Sequence, residues 1–221
     1  MCEITKISAG SNCYLVTQGQ SAILVDTGLK GFEKQILSAC EEKQVKLIVL
    51  THGHIDHVQN ASFLAKQLQV PIAMHENDIP LLKDNLCREM KASGLRGRMV
   101  RFFSVWSAKM THLDSFVPDI LLKEGDRLNE FGVDAKVIEL PGHTAGSIGL
   151  KVGEDSLLVG DALMNMFKPE KTLLYEEYEK VLESARKIEA MGDMKIYFGH
   201  GKMVSNQKWL LVLLISHAML C

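Results

Sequence analysis

Four side chains of the kinds that bind divalent metals, His52, His54, Asp56 and His57, fall within six consecutive residues of this 221-residue chain. They follow the apolar run Leu47-Ile48-Val49-Leu50. A short apolar run closed by a turn reads as a buried strand, and α/β folds place their sites at such strand ends. Alternation along an extended segment sends His52, His54 and Asp56 to one side. A turn at Asp56-His57 then lets His52 and His54 serve one metal and Asp56 and His57 a second. Gly53 lets the backbone bend close to the ions without a Cβ in the way.

Further candidates stand in the same kind of place downstream. His143 follows the strand-like Val137-Ile138, Asp161 follows Leu157-Leu158-Val159-Gly160, and His200 follows Ile196-Tyr197, each with glycine beside it. A His-rich surface loop gives no reason for that repetition. Five His and two Asp suffice for two metals that share a carboxylate and leave a position open for water. A structural zinc site fits poorly, since such sites favour Cys and are coordinatively closed. A metal lowers the pKa of bound water from about 16 to near 7, so the chemistry needs no Ser or Cys nucleophile. Asp56 is the catalytic candidate, both ligating metal and orienting that water. Asp26 either holds a ligand His in its tautomer or stabilises the turn before Gly28. His75 and His112 read as structural or surface residues.

The elements that position these residues are legible from apolar spacing. Strands are expected at Glu3-Ile7, Cys13-Thr17, Ala22-Asp26, Leu47-Leu50, Pro71-Met74, Val133-Glu139, Ser147-Val152, Ser156-Gly160 and Lys195-Phe198. Helices are expected at Phe32-Glu42, at His57-Leu68 with Phe63, Leu64 and Leu68 inward, and at Tyr175-Met191 with Tyr178, Leu182, Ala185 and Ile188 inward. Between the two ligand groups lies an irregular middle. The mixed order of strands and helices indicates an α/β sandwich.

The constellation resembles the metallo-β-lactamase superfamily. The family's His-x-His-x-Asp-His run corresponds to His52, His54, Asp56 and His57. Its later His, bridging Asp and last His correspond to His143, Asp161 and His200. Val25-Asp26-Thr27-Gly28 and Asn12-Cys13-Tyr14-Leu15-Val16 also agree, so the resemblance runs from about residue 3 to about residue 208. It implies an αββα four-layer sandwich with the metals where the two halves of the chain meet. It also implies a dinuclear metal-dependent hydrolase, in which metal-bound hydroxide attacks an ester, thioester, lactone or phosphodiester. The implied cofactors are two divalent metals, zinc first, with iron or manganese as alternatives. Asp161 matches the bridging carboxylate of the glyoxalase II-like branch. A true glyoxalase II carries a helical glutathione-binding region after the last ligand, whereas 21 residues follow His200 here. The alternative is an iron-dependent sulfur (persulfide) dioxygenase of the same fold, with iron on His52 or His54, His143 and Asp161. Many members have Gly after the first run. Here Val58-Gln59-Asn60 follows, so Gln59 either narrows the site mouth or packs behind it.

This reading gives one hydrolase domain over 1–208, a cap-like insertion at about 78–118, and an apolar tail at 209–221. Hydrophobic residues at 47% and charged residues at 24% are ordinary for a globular protein. A net charge of −2 excludes a general nucleic-acid binder, leaving a small-molecule substrate as the partner. Five scattered cysteines without a Cys-x-x-Cys pair indicate reduced thiols and a cytoplasmic protein. The start lacks the pattern of a signal peptide. From Lys83 to Lys109, seven basic residues face two acidic ones, a net of +5, with Phe102, Phe103 and Trp106 interleaved. One reading is a cap that admits an anionic substrate through Arg96, Arg98, Arg101 and Trp106. The other is a solvated helical face whose aromatics pack on the body. The uncharged tail Trp209-Cys221 is shorter than the roughly 20 residues of a membrane span. It reads as a docked helix, a homodimer contact or a non-native terminus, with His217 not a ligand.

Overall fold

The computed structural model describes residues 1–205, so the tail at 209–221 lies outside the described residues. The chain opens with β1 (Glu3–Ala9), β2 (Ser11–Gln18) and β3 (Ser21–Val25), each antiparallel to the one before. Helix α1 (Glu33–Cys40) crosses to β4 (Gln44–Val49). Helices α2 (Ile55–Val58) and α3 (Ala61–Leu68) cross to β5 (Ile72–Met74). Then come α4 (Ile79–Lys83), β6 (Lys91–Ala92), α5 (Gly94–Met110) and β7 (Ile120–Leu121). The second half holds β8 (Ala135–Glu139), β9 (Ile148–Val152), β10 (Ser156–Leu158), β11 (Leu163–Met164), β12 (Glu170–Lys171), β13 (Leu174–Tyr175), α6 (Tyr178–Glu189) and β14 (Lys195–Tyr197). A six-stranded sheet, ordered β1-β2-β3-β4-β5-β7, comes mostly from the first half; a four-stranded sheet, ordered β14-β10-β9-β8, comes from the second.

Side-chain alternation sorts these elements into four layers. From β2, β3 and β4, Leu15, Leu24 and Ile48 point outward to Ile36 of α1 and Leu64 of α3. From the same strands Val16, Ile23, Leu47 and Val49 point inward to Val137, Leu150 and Leu158 of the other sheet. On its far side, that sheet turns Ile138, Leu157 and Ile196 to Ala185 and Ile188 of α6. The result is the αββα sandwich. Each Leu, Ile or Val wholly withdrawn from water contributes roughly 1.5–3 kcal/mol. The inter-sheet layer therefore fixes the two halves of the chain, and with them the two ligand groups, against each other.

Four expectations need correction, and one open alternative, at Gln59, is decided. The helix expected over His57-Leu68 is two pieces, because Asn60 leaves helical geometry (φ −97°, ψ 2°). Its side chain donates to the carbonyls of Thr27 and Leu29 instead. Gln59 packs behind the site rather than at its mouth, accepting from Lys30 N and donating to His112 O. Phe63, expected inward, is exposed. The late helix begins at Tyr178, since Tyr175 pairs with Lys91 as part of β13; of the residues expected inward, Leu182, Ala185 and Ile188 are buried and Tyr178 is half-buried. The middle segment, expected to be irregular, contains the 17-residue helix α5.

Candidate metal centre

The two sheets meet at a cluster of seven side chains: His52, His54, Asp56, His57, His143, Asp161 and His200. The chain leaves β4 and turns, so the strand alternation assumed for Asp56 stops before it. Helix α2 instead carries Asp56 and His57 on its first turn. Three triads have ligand atoms within 4.8 Å of one another: His52-His54-His143, Asp56-His57-His200 and His52-His57-Asp161. Asp161 faces both sides. Its Oδ2 lies 3.7 Å from His143 Nε2 and 3.4 Å from His200 Nε2, and its Oδ1 lies 3.7 Å from His57 Nε2.

The polar groups behind the cluster set which nitrogen each His presents. Asp26, buried and in the left-handed region (φ 59°), accepts from Thr51 N, from Thr51 Oγ1 and from His57 Nδ1, each at 2.8 Å. Because Thr51 gives its hydroxyl proton to Asp26, it accepts from His52 Nδ1 at 3.1 Å. His143 Nδ1 donates to Leu174 O at 2.8 Å. His52, His57 and His143 thus all turn Nε2 inward, the role outer partners play around metal-binding histidines. His54 turns Nδ1 inward, 2.9 Å from His143 Nε2.

This donor set fits a cation pair. The buried His52 Nε2 and Asp161 Oδ1 have no hydrogen-bond partner among the described residues, and an unpartnered buried polar atom costs about 1–3 kcal/mol. Burial, together with His57 and His143, pushes the pKa of His52 well down. Burial and His143 push His54 down to about 3. Both therefore stay neutral and able to coordinate. Burial opposes charge on His57 too, but Asp26, Asp56 and Asp161 outweigh it and raise its pKa to about 10. At pH 7.5, below that value, the metal-free protein holds on His57 a proton that a metal must displace. Calorimetric titration with zinc, in buffers of different ionisation enthalpy, is expected to register release of about one proton from this residue. No release, or net uptake, would show that His57 is neutral before metal arrives.

Asp78, which sequence reasoning missed, ties the two ligand loops together. Its carboxylate is wholly buried. It accepts from Gly53 N at 2.9 Å, between His52 and His54, and from Thr144 Oγ1 at 2.6 Å and Gly146 N at 2.8 Å, just after His143. Arg88 Nη2 adds a 2.7 Å ion pair, and Arg88 Nε lies 3.0 Å from Glu176, which accepts from Ala145 N. Burial raises the Glu176 pKa to about 7 against the pull of Arg88. As an Asp before Ile79-Pro80, Asp78 reads like an ordinary helix cap, and no sequence spacing marks its longer reach. Gly53 serves a different close approach from the one expected, because a Cβ there would come within 2.7 Å of Leu81 Cβ and 2.9 Å of Asp78 O.

A cavity of about 400 Å³ opens on the cluster at His54, Asp56, His143, Asp161 and His200. Its walls are largely apolar, with Leu86, Met90, Met99, Val100 and Phe103 from the middle segment facing Met164, Met166, Phe167 and Leu174. Arg96, Arg98, Arg101 and Trp106 do not line it. Arg96 lies over the Phe167 ring at 5.5 Å, and Arg101 Nε donates to Met90 O. His75 binds Glu139 and Asn77, while His112 is exposed; neither joins the cluster.

Known proteins share this arrangement of chain. A protein of Aquifex aeolicus is 30% identical over 69% of this chain, which spans 65% of that protein's length. Hydroxyacylglutathione hydrolase of Haemophilus influenzae is 28% identical, with 90% of each chain covered. The crystal structure of a metallo-beta-lactamase family protein from Thermus thermophilus superposes with a TM-score of 0.73 at 21% identity, covering 99% of this chain and 79% of that one. The family model of the metallo-beta-lactamase superfamily matches residues 9–200, from the end of β1 to the last histidine of the cluster. With the sandwich, the ligand-type cluster at the sheet junction and this match in agreement, and with the Haemophilus relative fitting a glyoxalase II-like branch, the chain belongs to the metallo-beta-lactamase superfamily.

Proposed function

We propose that this protein is a dinuclear metal-dependent hydrolase of a small ester, thioester, lactone or phosphodiester with an apolar non-reacting part. One observation carries the reading: two His-rich triads flank a shared carboxylate at the floor of an apolar cavity. In this reading His52, His54 and His143 hold one metal, Asp56, His57 and His200 hold the other, and Asp161 joins them. The ions, when bound, polarise a substrate oxygen and bring the pKa of coordinated water near 7.

The chain's own residues do the rest. The Asp26 and Thr51 contacts keep the His57 and His52 Nε2 lone pairs aimed inward. Asp56 stays ionised, because His57 and His200 outweigh the effect of burial on its carboxyl group. With its side chain 32% exposed at the cavity floor, Asp56 is placed to accept a hydrogen bond from an incoming water and so orient it. The apolar walls take the non-reacting part of the substrate and keep bulk water from competing. The relative named as a hydroxyacylglutathione hydrolase makes a thioester the first substrate to try.

Elemental analysis of protein purified without chelator is expected to find two metals per chain. A panel of thioesters, esters, lactones and phosphodiesters, assayed with zinc-, manganese- and iron-loaded protein, should show turnover in at least one class. A single iron per chain, with oxygen uptake on a low-molecular-weight persulfide and no hydrolysis, would instead establish the dioxygenase alternative.

A further inference from the structure

Helix α5 is oriented the wrong way round for a helix that only packs on its own protein. Leu95, Met99, Phe102, Phe103, Trp106 and Met110 are all exposed, Leu95 at 83%, Phe102 at 68% and Met110 at 72%. At 3.6 residues per turn these six side chains share an arc of about 100°. The residues turned to the body are small. Gly97 is the buried one, and a Cβ there would meet Leu173 O at 2.9 Å; Ser104 and Ala108 on the same side line the cavity. A surface helix ordinarily points its apolar stripe at the core. A contiguous exposed apolar face of this kind marks an interaction site.

The charges beside that face select the partner. Arg96 borders it on one flank, Arg98 and Lys109 on the other, and the helix contains no Asp or Glu. A second copy of the chain packed on this face would bring two sets of cations together. An anionic lipid surface would neutralise them while its acyl region received the aromatic and aliphatic side chains. A helix with Trp, Phe and Leu on one face and flanking Arg and Lys is the pattern that lies in a membrane interface. Among the described residues no helix is long and apolar enough to cross a membrane, and a contact through α5 would lie in the plane of the interface. We propose that α5 docks this protein on anionic membrane surfaces. Met99 and Phe103 belong both to the docking face and to the cavity wall, so the cavity would open beside the bilayer, where apolar substrates concentrate.

The test is co-sedimentation of the full-length, metal-loaded protein with vesicles of phosphatidylcholine alone or mixed equally with phosphatidylglycerol. The wild type should pellet with the mixed vesicles at 0.1 M salt and be released toward 1 M, as the Debye length falls from about 10 to about 3 Å. The triple variant R96Q/R98Q/K109Q should lose about a hundredfold in partitioning to mixed vesicles, from three surface charges. The double variant F102S/W106S should also lose binding to the mixed vesicles, and the wild type should stay in the supernatant with phosphatidylcholine alone. A variant ending at residue 205 should pellet as the wild type does, its failure to do so assigning the binding to the apolar tail and overturning the proposal, and unchanged circular dichroism and metal content would verify folding. The proposal is overturned if the wild type stays in the supernatant with the mixed vesicles, or if the triple or double variant pellets as the wild type does. It is also overturned if sedimentation velocity shows a dimer that F102S/W106S converts to monomer, which would assign the face to a second copy.

Discussion

Asp161→Ala should leave a folded protein that has lost one of two metals and nearly all hydrolytic activity. The carboxylate lies within 3.7 Å of His57, His143 and His200, one of its oxygens has no protein partner among the described residues, and it reaches both triads. In the proposed reading, removing it would leave the His52-His54-His143 triad with no carboxylate and the Asp56-His57-His200 triad with Asp56 alone. Metal-ion stabilisation is worth several kcal/mol of barrier. At about 1.4 kcal/mol per tenfold, kcat should fall roughly a thousandfold. Elemental analysis and calorimetric metal titration check the count. If Asp161→Ala retains two equivalents and wild-type affinity, Asp161 is a turn residue and the shared-carboxylate reading fails.

The second large effect is expected at Asp78, which touches none of the proposed ligand side chains. Asp78→Ala would leave the amides of Gly53 and Gly146 and the Thr144 hydroxyl without their acceptor, and Arg88 without its buried partner. Breaking a buried pair costs about 3–5 kcal/mol. For a chain of this size that corresponds to a fall in Tm of roughly 6–20 °C. Asp78→Asn keeps the volume but turns an amide toward two donors, so it should recover only part of the loss. Because both ligand loops hang on this one carboxylate, metal affinity should fall as well, by about 10–100-fold, the range seen when groups behind a metal site are changed. Differential scanning calorimetry of apo- and metal-loaded variants separates the two contributions. An Asp78→Ala protein with unchanged apo-state Tm would show that the loops are held by other contacts.

The same two carboxylates show what can be read from a sequence. Asp161 was legible because its context repeats that of His143 and His200: an apolar run, a glycine, then a ligand type. The apolar runs of β2, β3 and β4 were legible for a similar reason. Water removes apolar side chains wherever the chain goes, so a strand buried on both faces must be apolar at successive positions. From such local regularities came the layers, the seven ligand candidates and the role of Asp26 as one of two options. For helix α5 a helical face was one of two readings, but its aromatics are exposed rather than packed on the body, because spacing shows that a stripe exists and not which way it faces. Its charges are consistent in sequence with a cap for anions, yet Arg96, Arg98 and Arg101 stand off the cavity wall.

By itself, then, the sequence determined which residues are candidates for a metal centre, their places at element ends and the sandwich that carries them. Each of these follows from hydrophobic period and ligand chemistry within a few residues. Tertiary structure alone decided which distant residue completes each candidate triad: His143 joins His52 and His54, and His200 joins Asp56 and His57. It alone decided that Asp78 reaches groups 66 and 68 residues further along the chain, and that the cavity is apolar. Those outcomes depend on distances between segments, which are set when the two sheets pack and which no local pattern encodes.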